Sequence, residues 1–155
     1  MSDKVIASKK PAGDHAGLLL ARLQGASKSY GQVRALCDVG FDVRAGEVLA
    51  LLGANGAGKS TALGLLTGRL SVDAGAVEVL GGDPRDAAIR RGIGVMLQEG
   101  GLPDTLRVAE HVRLFSTYYP NPRPLAETLA LAGLLDIAKR PYGALSGGQQ
   151  RRVQF

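Results

Sequence analysis

The chain of 155 residues is 45% apolar and 21% charged, ordinary globular usage, and it is long enough for one core, since a domain of about 150 residues buries roughly 70% of its unfolded surface. Its net charge of +5 suits a polyanion, but the basic residues are scattered and no aromatic–basic ribonucleoprotein motif occurs, which argues against nucleic acid. The single cysteine, Cys37, excludes an internal disulfide and points to a reducing, cytoplasmic compartment; no apolar run approaches the ~20 residues of a membrane span or the length of a signal-peptide core.

Residues 1–17 mix Ser, Lys, Asp, Gly and Ala around Pro11 without apolar period, and read as a flexible tail before a folded region of residues 18–155. Leu18 to Gln24 reads as a strand and Gly25 to Gly31 as a turn; Val39, Phe41 and Val43 then alternate with polar positions, which predicts an antiparallel sheet. Val48 to Leu52 is a continuous apolar run of the kind buried on both faces of a parallel sheet. After a glycine-rich loop the pattern predicts a helix over Lys59 to Leu66, a strand over Val77 to Leu80 and a short helix with Pro84 in its first turn. Ile93 to Leu97 reads as a second buried strand, leaving into a polar loop from Gln98 to Asp104. Val108, Val112, Phe115 and Tyr119 recur at helical spacing, so a helix is expected to run to Tyr119 and to stop at Pro120. A second helix should start near Pro124, and a third should open between Ala144 and Gln150. The overall expectation is an α/β fold.

The loop between the Val48–Leu52 strand and the Lys59 helix carries the chemistry. Gly53, Ala54, Asn55, Gly56, Ala57, Gly58, Lys59 and Ser60 satisfy the phosphate-loop pattern in the strand–loop–helix setting that pattern demands. Glycines let the backbone turn sharply so that successive amides face inward, and the helix that follows aims its positive end at the same point. Lys59 would reach the β and γ phosphates of a nucleotide, the Ser60 hydroxyl would ligate Mg²⁺, and Thr61 could add a phosphate contact. His15 and His111 fit no motif.

A phosphate loop alone leaves kinases, GTPases, helicases and transport motors open. No Asn-Lys-x-Asp or Thr-Lys-x-Asp guanine-reading motif follows it, but LSGGQ does, at Leu145 to Gln149. The two motifs in this order resemble the ATP-binding cassette (ABC) ATPase family, in which LSGGQ is the signature and precedes a helix. There Ser146 can cap the helix, and Gly147 and Gly148 can let backbone amides approach a phosphate closely, with Gln149 beside them. The resemblance implies a phosphate-loop NTPase fold with a RecA-like core, an antiparallel β subdomain and a helical subdomain. It implies that Gln98 is the loop glutamine sensing Mg²⁺ and the hydrolytic water, and that Tyr30, in SKSYG, stacks on adenine.

It implies also ATP as substrate, Mg²⁺ as cofactor, a second ATP-binding domain joined head to tail, and a membrane-spanning transporter subunit that holds the protein at the inner face of the cell membrane. The reading is that of an ATPase subunit of a bacterial-type exporter, with the stretch from Leu102 to Tyr119 as its coupling surface and Glu110 as a coupling residue. Chromosome-type members, with long coiled coils between the motifs, do not fit the compact stretch from Lys59 to Leu145; ribosome-acting members usually carry two cassettes in one chain. Family members continue past the signature into an apolar strand ending in Asp-Glu and a switch histidine. Neither occurs here, so the domain is expected to be incomplete at its C-terminus. By itself the chain would hydrolyse ATP poorly, the missing general base being worth typically ~10² to 10⁴ in rate. The alternative reading is a truncated nucleotide-binding module without hydrolysis.

Overall fold

The computed structural model describes residues 6–9, there as backbone only, 17–96 and 101–155. The chain forms two compact units, Met1–Ile93 and Gly94–Phe155. In the first, chain order is β1 (Ile6–Lys9), β2 (Leu19–Tyr30), β3 (Val33–Arg44), β4 (Leu49–Leu52), α1 (Lys59–Leu66), β5 (Ala74–Val79) and a single turn, α2 (Ala87–Arg90).

β2 and β3 make a long antiparallel hairpin, and β5 joins the other edge of β2, also antiparallel. β2 runs on to Tyr30 through the stretch where the sequence suggests a turn, because bulges absorb the irregular residues. Register shifts fall between Leu23 and Ala26, where Gly25 takes φ 60° and Asp38 on the facing strand φ 53°, and a bulge bends a strand without ending it. The chain reverses only at Gly31, between the paired residues Tyr30 and Val33. At the same bulge β5 crosses closely: a Cβ on Gly75 would lie 2.3 Å from the Gly25 carbonyl oxygen. Asp73 fastens the entry to β5 by accepting hydrogen bonds from Lys28 Nζ at 2.6 Å and the Ser29 amide at 2.7 Å. Across β2 and β3, Arg22 donates twice to Asp42, at 2.7 and 2.8 Å.

Leu23, Ala26 and Leu36 from the sheet meet Ala62 and Leu65 of α1 in one buried cluster, with Phe41, Leu51, Leu70 and Val77 packed around it. Burying a side chain such as Leu65 fully contributes about 1.5–3 kcal/mol, and this contact seats α1, and with it the loop before it, on the sheet.

Three expectations about strands are overturned. The segment expected to be a tail contains β1, which pairs antiparallel with β4 from Ile6 opposite Leu52 to Lys9 opposite Leu49. The backbone donors and acceptors along an edge of β4 need partners, and an extended N-terminal segment supplies them. β4 alternates half-buried Leu49 and Leu51 with exposed Ala50 and Leu52, the pattern of an antiparallel strand with one covered face and not of a parallel strand covered on both. Ile93 to Met96 form no strand, and Val95 and Met96 are half exposed; Leu97, the last residue of the expected strand, lies outside the described residues. An apolar run becomes a strand only where a ladder partner stands beside it, and every strand pair among the described residues is antiparallel and made elsewhere. The short helix also begins later than Pro84, at Ala87, because the Asp86 side chain caps it by accepting from the Ala88 amide at 2.9 Å.

The second unit is helical: α3 (Val108–Ser116), α4 (Leu125–Leu131), single 3₁₀ turns at Leu135–Ile137 and Tyr142–Ala144, and α5 (Gly147–Gln154). Its own core gathers Val108, Leu129, Leu134, Tyr142 and Leu145. α3 stops at Ser116, short of Tyr119. Ser116 and Thr117 hydroxyls bond back to the carbonyls of Val112 and Leu114, and the next amides tighten to three-residue spacing, Tyr118 to Phe115 and Tyr119 to Ser116. α4 starts directly after Pro124, as expected.

Candidate functional site

The loop from Gly53 to Gly58 joins β4 to α1. Gly56 and Gly58 adopt φ of 86° and 92°, a region that costs a side-chain-bearing residue about 1 kcal/mol or more. At Gly58 sterics add to this: a Cβ would lie 2.3 Å from the Ala35 carbonyl oxygen and 2.7 Å from Leu36 Cδ2. The loop thus rests directly on β3, and only glycine permits the approach. Ala57 is buried and its amide donates to the Ala54 carbonyl at 3.2 Å, closing a turn, while Gly53 to Gly56 lie exposed.

α1 begins at Lys59 with Gly58 as cap residue and no side-chain cap. The first internal bond of the helix is Ala62 to Gly58, at 2.9 Å, so the amides of Lys59, Ser60 and Thr61 find no acceptor among the described residues. They form a cluster of donors at the positive end of the helix. Lys59 Nζ lies over the loop, donating to the carbonyls of Gly53 at 2.7 Å and Ala54 at 2.6 Å. A primary ammonium held between two carbonyls beside free amides has the donor set a phosphate chain requires: such amides can bind phosphate oxygens, and such an ammonium can exchange carbonyl partners for anionic ones. The exposed Ser60 hydroxyl and the half-buried Thr61 hydroxyl are hard oxygen donors at the same helix turn. That donor type fits Mg²⁺, which keeps most of its shell as water and phosphate oxygen. Tyr30 ends β2 with its ring half exposed beside the Gly31 reversal, an amphipathic ring available for stacking. Gln98 lies outside the described residues.

In the second unit the signature residues start α5. Ser146 caps the helix: its Oγ accepts from the Gln149 amide at 3.4 Å, and Gln149 Oε1 accepts from the Ser146 amide at 3.0 Å, a reciprocal capping box. Gly147 and Gly148 are different in kind from Gly58. A Cβ on either would meet nothing within 4 Å, and neither has a positive φ. Nothing among the described residues requires glycine there, and their amides have no acceptor among those residues. α3 shows the contrast: its first amides are taken by the chain itself, Val108 by the Arg140 carbonyl and Ala109 by that of Ala138.

Three features were not legible from the motifs. The seat of Gly58 against Ala35 joins residues distant in sequence, and no spacing announces it. Glu110, expected as a coupling residue, caps α3, its Oε2 accepting from the Arg107 amide at 2.7 Å. His111 is fully buried, with Nε2 3.0 Å from the Pro103 carbonyl oxygen.

A family model described as ABC transporter matches residues 36–155. A probable ABC transporter ATP-binding protein of Azorhizobium caulinodans is 39% identical over 140 residues, covering 84% of this chain and 50% of that protein. The hemin import ATP-binding protein HmuV of Thermobifida fusca is 38% identical, over 83% of this chain and 49% of its own length. The Nod factor export ATP-binding protein I of Mesorhizobium japonicum is 35% identical, over 93% and 44%. The chain thus spans about half the length of the curated relatives it matches. Among solved structures, the nucleotide-free ATP-binding cassette of an ABC transporter superposes with a TM-score of 0.68 at 25% identity, over 88% of this chain and 63% of that one. A putative metal-chelate type ABC transporter in an inward-facing conformation gives 0.69 at 26%, over 88% and 53%.

Proposed function

This chain belongs to the ABC transporter ATP-binding family, and from that membership we propose that it binds MgATP on the Gly53–Thr61 loop and closes on a second copy through the signature at Ser146 to Gln149. The observation that carries the reading is the pair of glycine sites with opposite constraints. Gly58 is jammed against its own β3, as a loop shaped around a ligand from within must be. Gly147 and Gly148 face open space at an unspent helix start, as a surface awaiting a phosphate carried by another molecule must be.

Lys59, with the α1 amides, binds the β and γ phosphates; Ser60 contributes the hydroxyl for Mg²⁺; Tyr30 stacks on adenine; Gln98 reads the metal and the attacking water. The bound nucleotide supplies the phosphate charge that draws α5 of the partner copy onto it, and Gly147 and Gly148 leave the room for that contact. Closure of two copies then moves a membrane-spanning partner docked on the second unit. Exposed Leu114, Phe115, Tyr118 and Tyr119, with Phe115 and Tyr118 rings stacked edge to face at 5.9 Å, give that unit an apolar surface for such a partner. An importer and an exporter match this chain at 38% and 35% identity, so its residues carry the motor rather than the direction; export is retained as the proposal.

A mixing experiment tests the pairing. Lys59→Ala spoils the phosphate loop and leaves the signature; Gly148→Ala does the reverse. Neither variant should associate with itself in MgATP, while the mixture should form a dimer with one intact composite site. Failure of the mixture to associate, with wild type dimerising, contradicts the head-to-tail arrangement.

A further inference from the structure

His111 is the buried polar side chain of the described core, 1% exposed, and its Nδ1 has no hydrogen-bond partner among the described residues. Its other nitrogen is 3.0 Å from the Pro103 carbonyl, an acceptor, so the proton sits on Nε2 and Nδ1 keeps a bare lone pair. Leaving such an atom unpaired in a core is destabilising, and an apolar side chain of like size would avoid that cost. Local rules broken in this way concentrate where position matters more than stability.

The ring stands between two parts of the second unit. On one side the Pro103 carbonyl also accepts the Leu106 amide at 3.3 Å and belongs to the segment that follows Gln98. On the other side the His111 ring meets Tyr142 edge to face at 5.3 Å and 66°. Tyr142 in turn carries α5: its hydroxyl accepts from Gln154 Nε2 at 2.7 Å and its carbonyl from Gln150 Nε2 at 3.3 Å, with the Leu145 amide on the same carbonyl at 3.1 Å. The turn before the signature helix, its middle and its C-terminal end therefore all hang on the residue that His111 touches.

We propose that His111 is a positioning residue that sets the signature helix by reference to the segment after Gln98, through the chain Pro103, His111, Tyr142, Gln150 and Gln154. The inference rests on the proposed role of the signature, but the placement it describes exists without nucleotide and is tested without it.

The test is amide hydrogen exchange on the full chain, nucleotide-free, in two variants that each cut one side of the relay. His111→Phe keeps a ring of similar volume against Tyr142 and removes the donor to Pro103. His111→Gln keeps an amide that reaches Pro103 and removes the ring. In both, exchange at Gln149 and Gln150 should quicken by about ten-fold while Leu129 in α4 stays protected, the mark of local and not global opening. Unchanged exchange at Gln149 and Gln150 in His111→Phe, together with loosening confined to Leu106, would reduce His111 to core filling and overturn the proposal. Should His111→Phe fail to fold, Tyr142→Phe poses the question from the other end. It removes only the hydroxyl that holds Gln154, and a faster Leu106 amide supports the relay whereas an unchanged one overturns it. Because no nucleotide is present, this outcome is independent of whether two copies pair on ATP.

Discussion

Replacing Gly147 and Gly148 by alanine should raise stability and abolish nucleotide-driven pairing, two effects of opposite sign from one double variant. Neither Cβ meets an atom within 4 Å, and neither residue has a positive φ, so the folded chain accepts alanine without strain. Each change removes freedom from the unfolded chain and adds helix propensity, a gain of about 0.4–1 kcal/mol. For a chain of this size a gain of 1 kcal/mol raises Tm by roughly 2–4 °C. The capping box of Ser146 and Gln149 uses groups that neither substitution touches. Two methyl groups at the helix start would, however, keep a phosphate from reaching the amides of α5, while the phosphate loop of the same chain stays whole. Thermal unfolding by circular dichroism, MgATP titration and sedimentation with and without nucleotide read the three quantities. A lower Tm would show that the fold itself needs these glycines, and unchanged pairing in MgATP would show that they do not face a phosphate; either result refutes the reasoning.

Gly58→Ala should do the reverse, costing more than about 1 kcal/mol in chemical denaturation and weakening nucleotide binding, because the added carbon meets the Ala35 carbonyl at 2.3 Å; unchanged stability would contradict the seat on β3. Glu110→Lys should lower stability by about 1 kcal/mol through loss of the α3 cap, measured by urea unfolding, so a transport defect in that variant must be read against its fold. The Asp83 carboxyl should titrate near pH 2, held down first by the side-chain hydrogen bonds of Arg85 and then by its amide; carboxyl carbon shifts in Arg85→Gln should move the midpoint back up. A depressed folded value means that its contribution is present above the ordinary carboxylate range and lost as pH falls through about 2. Because both groups are largely exposed, that contribution to stability is small.

The parts of the site legible in the sequence are those whose determinants are contiguous. Strand, glycine loop, Lys59 and helix follow one another within a few residues, and Ser146 with Gln149 forms a cap within a single turn, so local pattern and local structure coincide. β2 continues past Gln24 although Gly25 signals a turn, because Asp38 on the opposite strand absorbs the irregularity as a bulge, a pairing the sequence does not announce. Val48–Leu52 and Ile93–Leu97 look alike as apolar runs, yet only the first becomes a strand, because pairing is decided by what lies beside a segment and periodicity carries no record of it. His111 fitted no motif because its meaning lies in Pro103 and Tyr142, brought to it by the packing of α3 against the turn at Tyr142–Ala144.

The most direct test of the account is calorimetric titration of MgATP into the wild-type chain and into Lys59→Ala. The account predicts one site in wild type and a loss of roughly 10- to 100-fold in affinity when the ammonium is removed, the worth of charge-assisted hydrogen bonds to phosphate. Equal affinity in the two proteins would place the nucleotide elsewhere and contradict the assignment of the Gly53–Thr61 loop.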